Sequence, residues 1–500
     1  MKRLLEILPG FLSLSTLFLI VLISWKMPVV AAIFIILFDT YWLLKTIYLY
    51  FHLRITFIEM KKNLKINWIE KLNNENKNWK DIYHLIIFPM YKEPYEVVSE
   101  SFESLLKTNY PKDKFIVILA IEERAGEEAK KTALKIEKNF SNSFFNFLIT
   151  NHPADLEGEI PGKGSNETWA AKQAKKIIID PLKIPYEKIL VSVFDIDTQV
   201  FPEYFGRLTY VFLNTENNLK SIYQPIPFFT NNIYEAPALA RVISFSSTFW
   251  QMMQQSRPHK LTSFSSQSIP FKTLFEIGFW HTNIVQEDSR IFWQCYLHYN
   301  GDFKVTPLIY PVSMDANASP SFWKTMKNLY LQQRRWAWGA DDIPYLIYGF
   351  IKNKVIPLRK KIYWSLHIIE GFWSWATNSI IIFSLGWLPL FLGDKNFNYS
   401  VLSYNLPKIT GTILQFSMFG VIASAILAII LLPPKPIWFK KHHYLIYLFQ
   451  WLLLPIVLIV FGSIPALEAQ IRLMLGGRFR LGFWVTPKQR IKKEVAAQKI

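Results

Sequence analysis

One cysteine, Cys295, is all that 500 residues contain. A lone thiol excludes an intrachain disulfide and suits a reducing compartment. No G-x-G-x-x-G or G-x-x-x-x-G-K run occurs, which argues against dinucleotide enzymes and P-loop ATPases. Acidic residues are scarce: 38 stand against 56 Lys and Arg, leaving a net charge of +18. In a soluble chain that balance suggests nucleic acid. In a chain this apolar it fits basic faces on the cytoplasmic side of a bilayer, and no nucleic-acid partner is expected. Lys2 and Arg3 precede an apolar run, yet no small-x-small cleavage site follows it and a second run comes at once. The expectation is an uncleaved anchor pair rather than a signal peptide.

What the chain does have is apolar: 51% hydrophobic residues and 16% aromatics. They concentrate at the two ends, in segments 11–25, 28–51, 366–392, 409–433 and 444–463. Several approach the ~20 residues that span a bilayer. A multi-pass protein of the plasma (cytoplasmic) membrane follows, with lipid as a partner. With Lys2 and Arg3 inside, two passes return the chain to the cytoplasm near Arg54. The expected layout is an anchor pair over 1–53, a cytoplasmic domain over 54–350, a second membrane region over 351–475 and a basic tail over 476–500. Residues 60–80 read as a linker or surface helix. Asp39, inside the second segment, is either packed against another helix or functional. Segment 444–463 is awkward. Lys435, Lys440 and Lys441 precede it, and Arg478, Arg480, Lys488, Arg490, Lys492 and Lys493 follow. Both flanks look cytoplasmic, yet one full pass would separate them. Pro465 interrupts the run, so re-entrant or interfacial geometry would resolve the conflict, as would a misplaced earlier boundary.

Between the ends, short apolar runs at 84–89, 115–121, 145–150, 189–194 and 221–224 alternate with amphipathic stretches near 94–107, 127–139, 165–178 and 202–213. This alternation predicts an α/β fold with a mostly parallel sheet. Ligands bind such sheets beyond the carboxyl ends of the strands. The groups expected to converge there are Tyr91 and Glu93, then Glu122 and Glu123, then Asp195 and Asp197. In extended chain Asp195 and Asp197 point the same way, and they repel unless a cation lies between them. A hard divalent ion binds carboxylate and phosphate oxygens together. A solvated turn would use aspartate as well. Lys163, in Pro161-Gly162-Lys163-Gly164, either reaches a phosphate with help from a helix N-terminus or is a surface turn lysine. Glu287 and Asp288 open a helix, where carboxylates suit the dipole in any case. On a further helix Gln332, Arg335 and Trp336 share a face. Arginine clamps diphosphate and tryptophan carries a sugar face, although a basic helix on a membrane surface has the same pattern.

Assembled, these stretches resemble the membrane-integrated family 2 glycosyltransferases, the group of cellulose, chitin and hyaluronan synthases. Phe88-Pro89-Met90-Tyr91-Lys92-Glu93-Pro94 is similar to P-x-Y-N-E-P, with lysine for asparagine. Asp195-Ile196-Asp197 matches D-x-D. Glu287-Asp288 matches the end of T-E-D, with Gln286 for threonine. Gln332-Gln333-Arg334-Arg335-Trp336 matches Q-(Q/R)-x-R-W in full. Phe483-Trp484-Val485-Thr486-Pro487-Lys488 matches the gating-loop pattern F-x-V-T-x-K. Where the family usually places an aspartate near uracil, this chain has Glu122 and Glu123.

The resemblance implies a GT-A-like domain inserted between N- and C-terminal membrane helices. It implies an inverting transferase that moves sugar from a nucleotide sugar, a UDP sugar foremost, to a growing β-linked polysaccharide, with export coupled to synthesis. Tyr91, Glu93 and Glu122 would serve the base and ribose, Asp195 the nucleotide, and Lys163 a phosphate. Asp197 would hold Mg²⁺ or Mn²⁺ on the diphosphate. Asp288 would be the general base, with Glu287 its nearest substitute. Gln332, Gln333, Arg334, Arg335 and Trp336 would meet the acceptor and diphosphate, and Phe483, Val485, Thr486 and Lys488 would gate the pocket. The acceptor would be a glycan or a lipid-linked sugar. Two other readings stand beside this one: transfer of a single sugar to a lipid carrier or short acceptor, and a non-catalytic membrane transporter or scaffold.

Overall fold

The computed structural model describes residues 1–75 and 77–490. Residues 491–500, with Lys492 and Lys493 of the basic tail, lie outside the described residues. Eight strands form one mixed sheet: β1 (Tyr83–Met90), β2 (Phe115–Glu122), β3 (Asn146–His152), β4 (Ile189–Val193), β5 (Gln199–Val200), β6 (Ser221–Phe228), β7 (Ser268–Pro270) and β8 (Lys304–Ser313). Their order is β3-β2-β1-β4-β7-β6-β8-β5. Pairing is parallel from β3 through β4 and between β6 and β8; it is antiparallel around β7 and at β5. All eight residues of β2 are buried, as a strand covered on both faces requires. Period-two alternation splits the core. Leu85, Ile87, Ile116 and Ile118 face one cluster, and Ile86, Phe88, Phe115 and Val117 face the other.

Five of the strands lie close to the expected runs, and three were not foreseen. β7 is only three residues long, too short for periodicity to register. β8 carries Pro307 and Pro311, residues that normally demote a run. Here the register shifts between β6 and β8 where Gln224 gives way to Ile226, and that irregularity accommodates the prolines.

Among the described residues, four helices are long and apolar enough to cross a membrane: Lys2–Lys26, Pro28–Asn63, Val401–Ile430 and Lys441–Leu475. A bent pair, Leu358–Phe383 with Leu385–Leu392 at 49°, makes a fifth if it counts as one span. The second helix does not stop at 53. It continues to Asn63, whose Nδ2 donates to the Ile309 carbonyl at 3.0 Å. The stretch after it is held down too: Trp68 is buried and its N–H donates to Glu203.

The awkward segment 444–463 lies within the continuous helix Lys441–Leu475, which has a wide-turn section at Val457–Ser463. Its early part meets the α/β unit where Arg241 donates to Gln450 Oε1 at 2.7 Å. Its late part meets the same unit where Arg334 and Tyr330 donate to Glu468, each at 2.6 Å. The run is itself long and apolar enough to cross a membrane, so these contacts tie two points within it to the α/β unit.

Candidate active site

The carboxyl ends of β1, β2 and β4 open into one cavity of ≈ 190 Å³. Its walls include Tyr91, Glu93, Glu122, Lys163, Asp195, Asp197, Asp288, Gln332, Arg335, Trp336, Phe483, Val485, Thr486 and Lys488. These residues come from seven separate stretches of sequence.

After β1 the chain turns tightly, and the Tyr91 N–H donates to Glu93 at 2.7 Å. Burial pushes the Glu93 carboxyl above its ordinary value, against the pull of that bond. After β2, Glu122 takes two bonds from Arg124, at 2.5 and 3.1 Å, and this guanidinium lies 4.7 Å from the centre of the Tyr91 ring. Glu123 turns away and caps the Ala154 N–H. Tyr91 and Glu122 line the cavity, and Arg124 ties them together.

The pair Asp195 and Asp197 departs from expectation. β4 ends at Val193, and the Thr198 N–H donates to the Asp195 carbonyl at 2.8 Å, closing a turn. The two carboxylates therefore do not project together from a strand; each finds its own cation. Asp195 lies 2.9 Å from Lys163 and accepts from Ser265. Asp197 lies 2.6 Å from Lys488 and accepts the Asp315 N–H at 2.8 Å. Burial would raise the Asp195 carboxyl, but the Lys163 and Lys488 ammonium groups outweigh it and hold it at about 2. The sequence reading did not foresee these two lysine partners.

Lys163 opens the helix Lys163–Ala174 and is the hub of the site. Its ammonium lies 2.9 Å from Asp195, 2.9 Å from Asp288, and 3.5 Å from both Glu167 and Glu287. It is no surface turn lysine. Burial would lower its pKa, yet Asp195 and Asp288 drive it well above its usual value. Glu167 was missed from the sequence, although its i, i+4 spacing from Lys163 was the available signal. It is fully buried, with both carboxylate oxygens unpartnered by hydrogen bonds. Glu287 sits behind Asp288, outside the cavity wall, and is also buried with both oxygens unpartnered. Burial, then the Asp288 charge, pushes its carboxyl up to about 8.

The helix Phe322–Ala337 sorts its motif by face. Gln332, Arg335 and Trp336 line the cavity. Trp336 lies 6.1 Å from the Phe229 ring and 6.0 Å from that of Phe264. Gln333 and Arg334, expected at the acceptor and diphosphate, do not line it. At 100° per residue they fall on the other side: Gln333 is buried, and Arg334 pairs with Glu468.

The tail closes the cavity. Phe483 packs so tightly on Gly162 that an added Cβ there would lie 2.6 Å from its ring. The Arg335 guanidinium lies 5.1 Å from the Phe483 ring centre. Beyond Lys488, Arg490 bridges Glu100 and Asp315. Asp315 was not foreseen; burial and the nearby Asp197 push it up to about 6.

Two sets of oxygens suit a divalent cation. Asp197 keeps Oδ1 buried and unpartnered, which fits the expected ligand. Glu167, Glu287 and Asp288 offer oxygens within 4.8 Å of one another. A larger surface hollow of ≈ 510 Å³, near Ile179, Tyr186 and Phe275, lacks such convergence, because its Asp180, Glu187 and Lys272 are already in ion pairs.

No family model and no curated protein matches the chain. Among solved structures, a mannosyltransferase from Pyrobaculum calidifontis in complex with GDP-Man and Mn²⁺ is similar at 12% identity and a TM-score of 0.40, over 84% of this chain and 99% of that one. Residues 1–349 of TarS from S. aureus, in complex with UDP-GlcNAc, are similar at 12% identity and a TM-score of 0.38, over 69% of this chain and 90% of that one. Likeness at this level says nothing about substrate or chemistry.

Proposed function

We propose that this chain is an inverting membrane glycosyltransferase. It moves sugar from a nucleotide sugar, a UDP sugar foremost, to a growing β-linked polysaccharide and couples synthesis to export. The observation that carries this reading is the shared cavity. Three strand ends, the Lys163 turn, the Asp288 helix, the Arg335–Trp336 face and the tail all meet around it.

The ammonium groups of Lys163 and Lys488 are the donor-side charges. In this structure they neutralise Asp195, Asp288 and Asp197. An arriving diphosphate offers them new anionic partners, and that exchange releases Asp288 to act as a base. Asp288 then takes the proton of an acceptor hydroxyl. The hydroxyl oxygen forms a bond to the anomeric carbon from the face opposite the diphosphate. The bond from that carbon to the diphosphate breaks, and its electron pair leaves with the nucleotide. One displacement inverts the centre, so an α-linked donor gives a β-linkage. Arg335 and Thr486 add donors for the leaving charge. Trp336, with Phe229 and Phe264, provides an apolar face for the acceptor ring. Phe483, packed on the Lys163 turn, excludes water that would hydrolyse the donor.

Asp197 is the residue that would hold Mg²⁺ or Mn²⁺, through its unpartnered oxygen. When bound, such an ion supplies charge neutralisation on the diphosphate.

The test is turnover by the purified full chain against a panel of labelled nucleotide sugars, with product sizing and the Asp288→Asn variant as control. Nucleotide release and a lengthening product from the native chain alone are expected. Absence of both turnover and nucleotide binding across the panel would overturn the reading.

A further inference from the structure

Away from this cavity, a second concentration of charge sits where two long helices meet the α/β unit. The helix Ala238–Gln255 ends in a tight turn in which the Lys260 N–H donates to the Arg257 carbonyl at 2.9 Å. The turn is docked on the helix Pro28–Asn63, where His52 Nδ1 and Ser256 Oγ lie 2.8 Å apart. The charges of Arg257, His259 and Lys260 all bear on His52. Those of Lys260, Arg257 and Lys45 bear on His367, from the helix Leu358–Phe383. The one carboxylate in this group, Glu370, is already taken by Lys45 at 2.6 Å.

Arg257 is the base of the cluster. It is 6% exposed. Its Nε donates to the Met253 carbonyl and its Nη2 to Gln254 Oε1 at 2.7 Å, both on its own element. The Tyr48 hydroxyl lies beside it. Among the described residues neither Arg257 nor Lys260 forms an ion pair. A buried guanidinium with no carboxylate in ion-pair range is costly; burial pushes this one below its ordinary value, and the Tyr48 and Glu370 groups offset it only in part. The acceptors around it are neutral, and the one carboxylate nearby, Glu370, is ion-paired with Lys45.

The faces beside the cluster are apolar and exposed. Leu44, Ile47, Phe51 and Ile55 form a stripe at helical spacing on one helix, and Ile362 and Leu366 lie on the other. Cations at one level with open apolar stripes running along the helices match an amphiphile: a phosphate with acyl chains. Basic pockets between membrane helices take anionic headgroups in this way.

We propose that Arg257 and Lys260, framed by Tyr48, His52 and His367, form a binding site for the phosphate of an anionic phospholipid. The site rests on the reading that these helices lie in a bilayer. It requires nothing of the sugar chemistry.

The experiment uses the full chain, purified in neutral detergent and stripped of lipid. Phosphatidylglycerol, phosphatidylcholine and inorganic phosphate are titrated separately. Retained lipid is counted by native mass spectrometry, and melting temperature is followed. The native chain should retain phosphatidylglycerol saturably and melt later with it, and phosphatidylcholine should bind more weakly. With roughly a fivefold effect per basic residue, R257Q/K260Q should weaken phosphatidylglycerol about thirtyfold. R257K, which keeps the charge, should retain most of the affinity. K130Q/K131Q, which removes two lysines from a distant exposed helix, should change nothing. If R257Q/K260Q does not fold, K260Q alone should still weaken binding about fivefold. Equal binding by the native chain and the folded variants overturns the site. Inorganic phosphate binding as tightly as phosphatidylglycerol overturns the lipid assignment. Alkaline carbonate extraction separates the two premises. If the chain leaves the membrane fraction, the bilayer reading has failed; if it stays and shows no anionic preference, this inference alone has failed.

Discussion

Lys488→Ala probes the link between tail and pocket. In the native chain the Lys488 ammonium lies 2.6 Å from Asp197 Oδ2, and Asp197 is fully buried. Removing it leaves Asp197 with the Asp315 N–H and no cation of its own. Truncating one partner of a buried ion pair costs ~3–5 kcal/mol when the other charge is stranded. Here a proton relieves part of that. Burial and Asp197 already push Asp315 up to about 6, and loss of Lys488 raises it further. Protonating a group with a pKa near 6 at pH 7 costs one unit, ~1.4 kcal/mol. With Asp315 raised above 6 that is an upper bound on the proton's cost, so a fully relieved variant should loosen tail docking by up to ~10-fold at pH 7. The sign with pH follows. Acid supplies the relieving proton at no cost, so the gap between variant and native chain should narrow as pH falls through 6. Chymotrypsin reads this directly, since Phe483 and Trp484 become accessible on undocking. Equal cleavage rates at pH 7, or a gap that widens in acid, would refute the reasoning.

Asp288→Asn keeps shape and loses basicity; sugar transfer should fall at least ~100-fold with donor binding retained, and normal turnover would move the role elsewhere. Activity should vanish in excess chelator and return with Mg²⁺ or Mn²⁺, while Asp197→Ala should lose turnover yet keep its melting profile; full activity in chelator would remove the metal. Glu287 has a folded pKa of about 8, above the ordinary 4.5, so its contribution to stability is complete below about 4.5 and is lost as pH rises through about 8. Glu287→Gln should therefore flatten the fall in melting temperature across that window, and an unchanged slope would assign it to another group.

The order of elements, the apolar ends and the motif-bearing stretches were legible because each is a local pattern. β1, β2 and β4 read from apolar runs of the right length, and their buried residues bear that out; β3, at the sheet edge, is mostly half-buried. Gln332, Arg335 and Trp336 read as one face from helical spacing alone, and that face is the one on the cavity. Arg334 was credited with the same role, but its partner, Glu468, lies 134 residues away, and no local pattern reports that distance. Lys163 and Asp195 were each visible singly. Only the fold brought one ammonium within 3.5 Å of four carboxylates, and only it gave Asp195 and Asp197 separate lysines. The reason is physical: periodicity fixes which side of an element a residue occupies, whereas charge partnership depends on loops such as the turn after β4 and on a tail that returns from the far end of the chain.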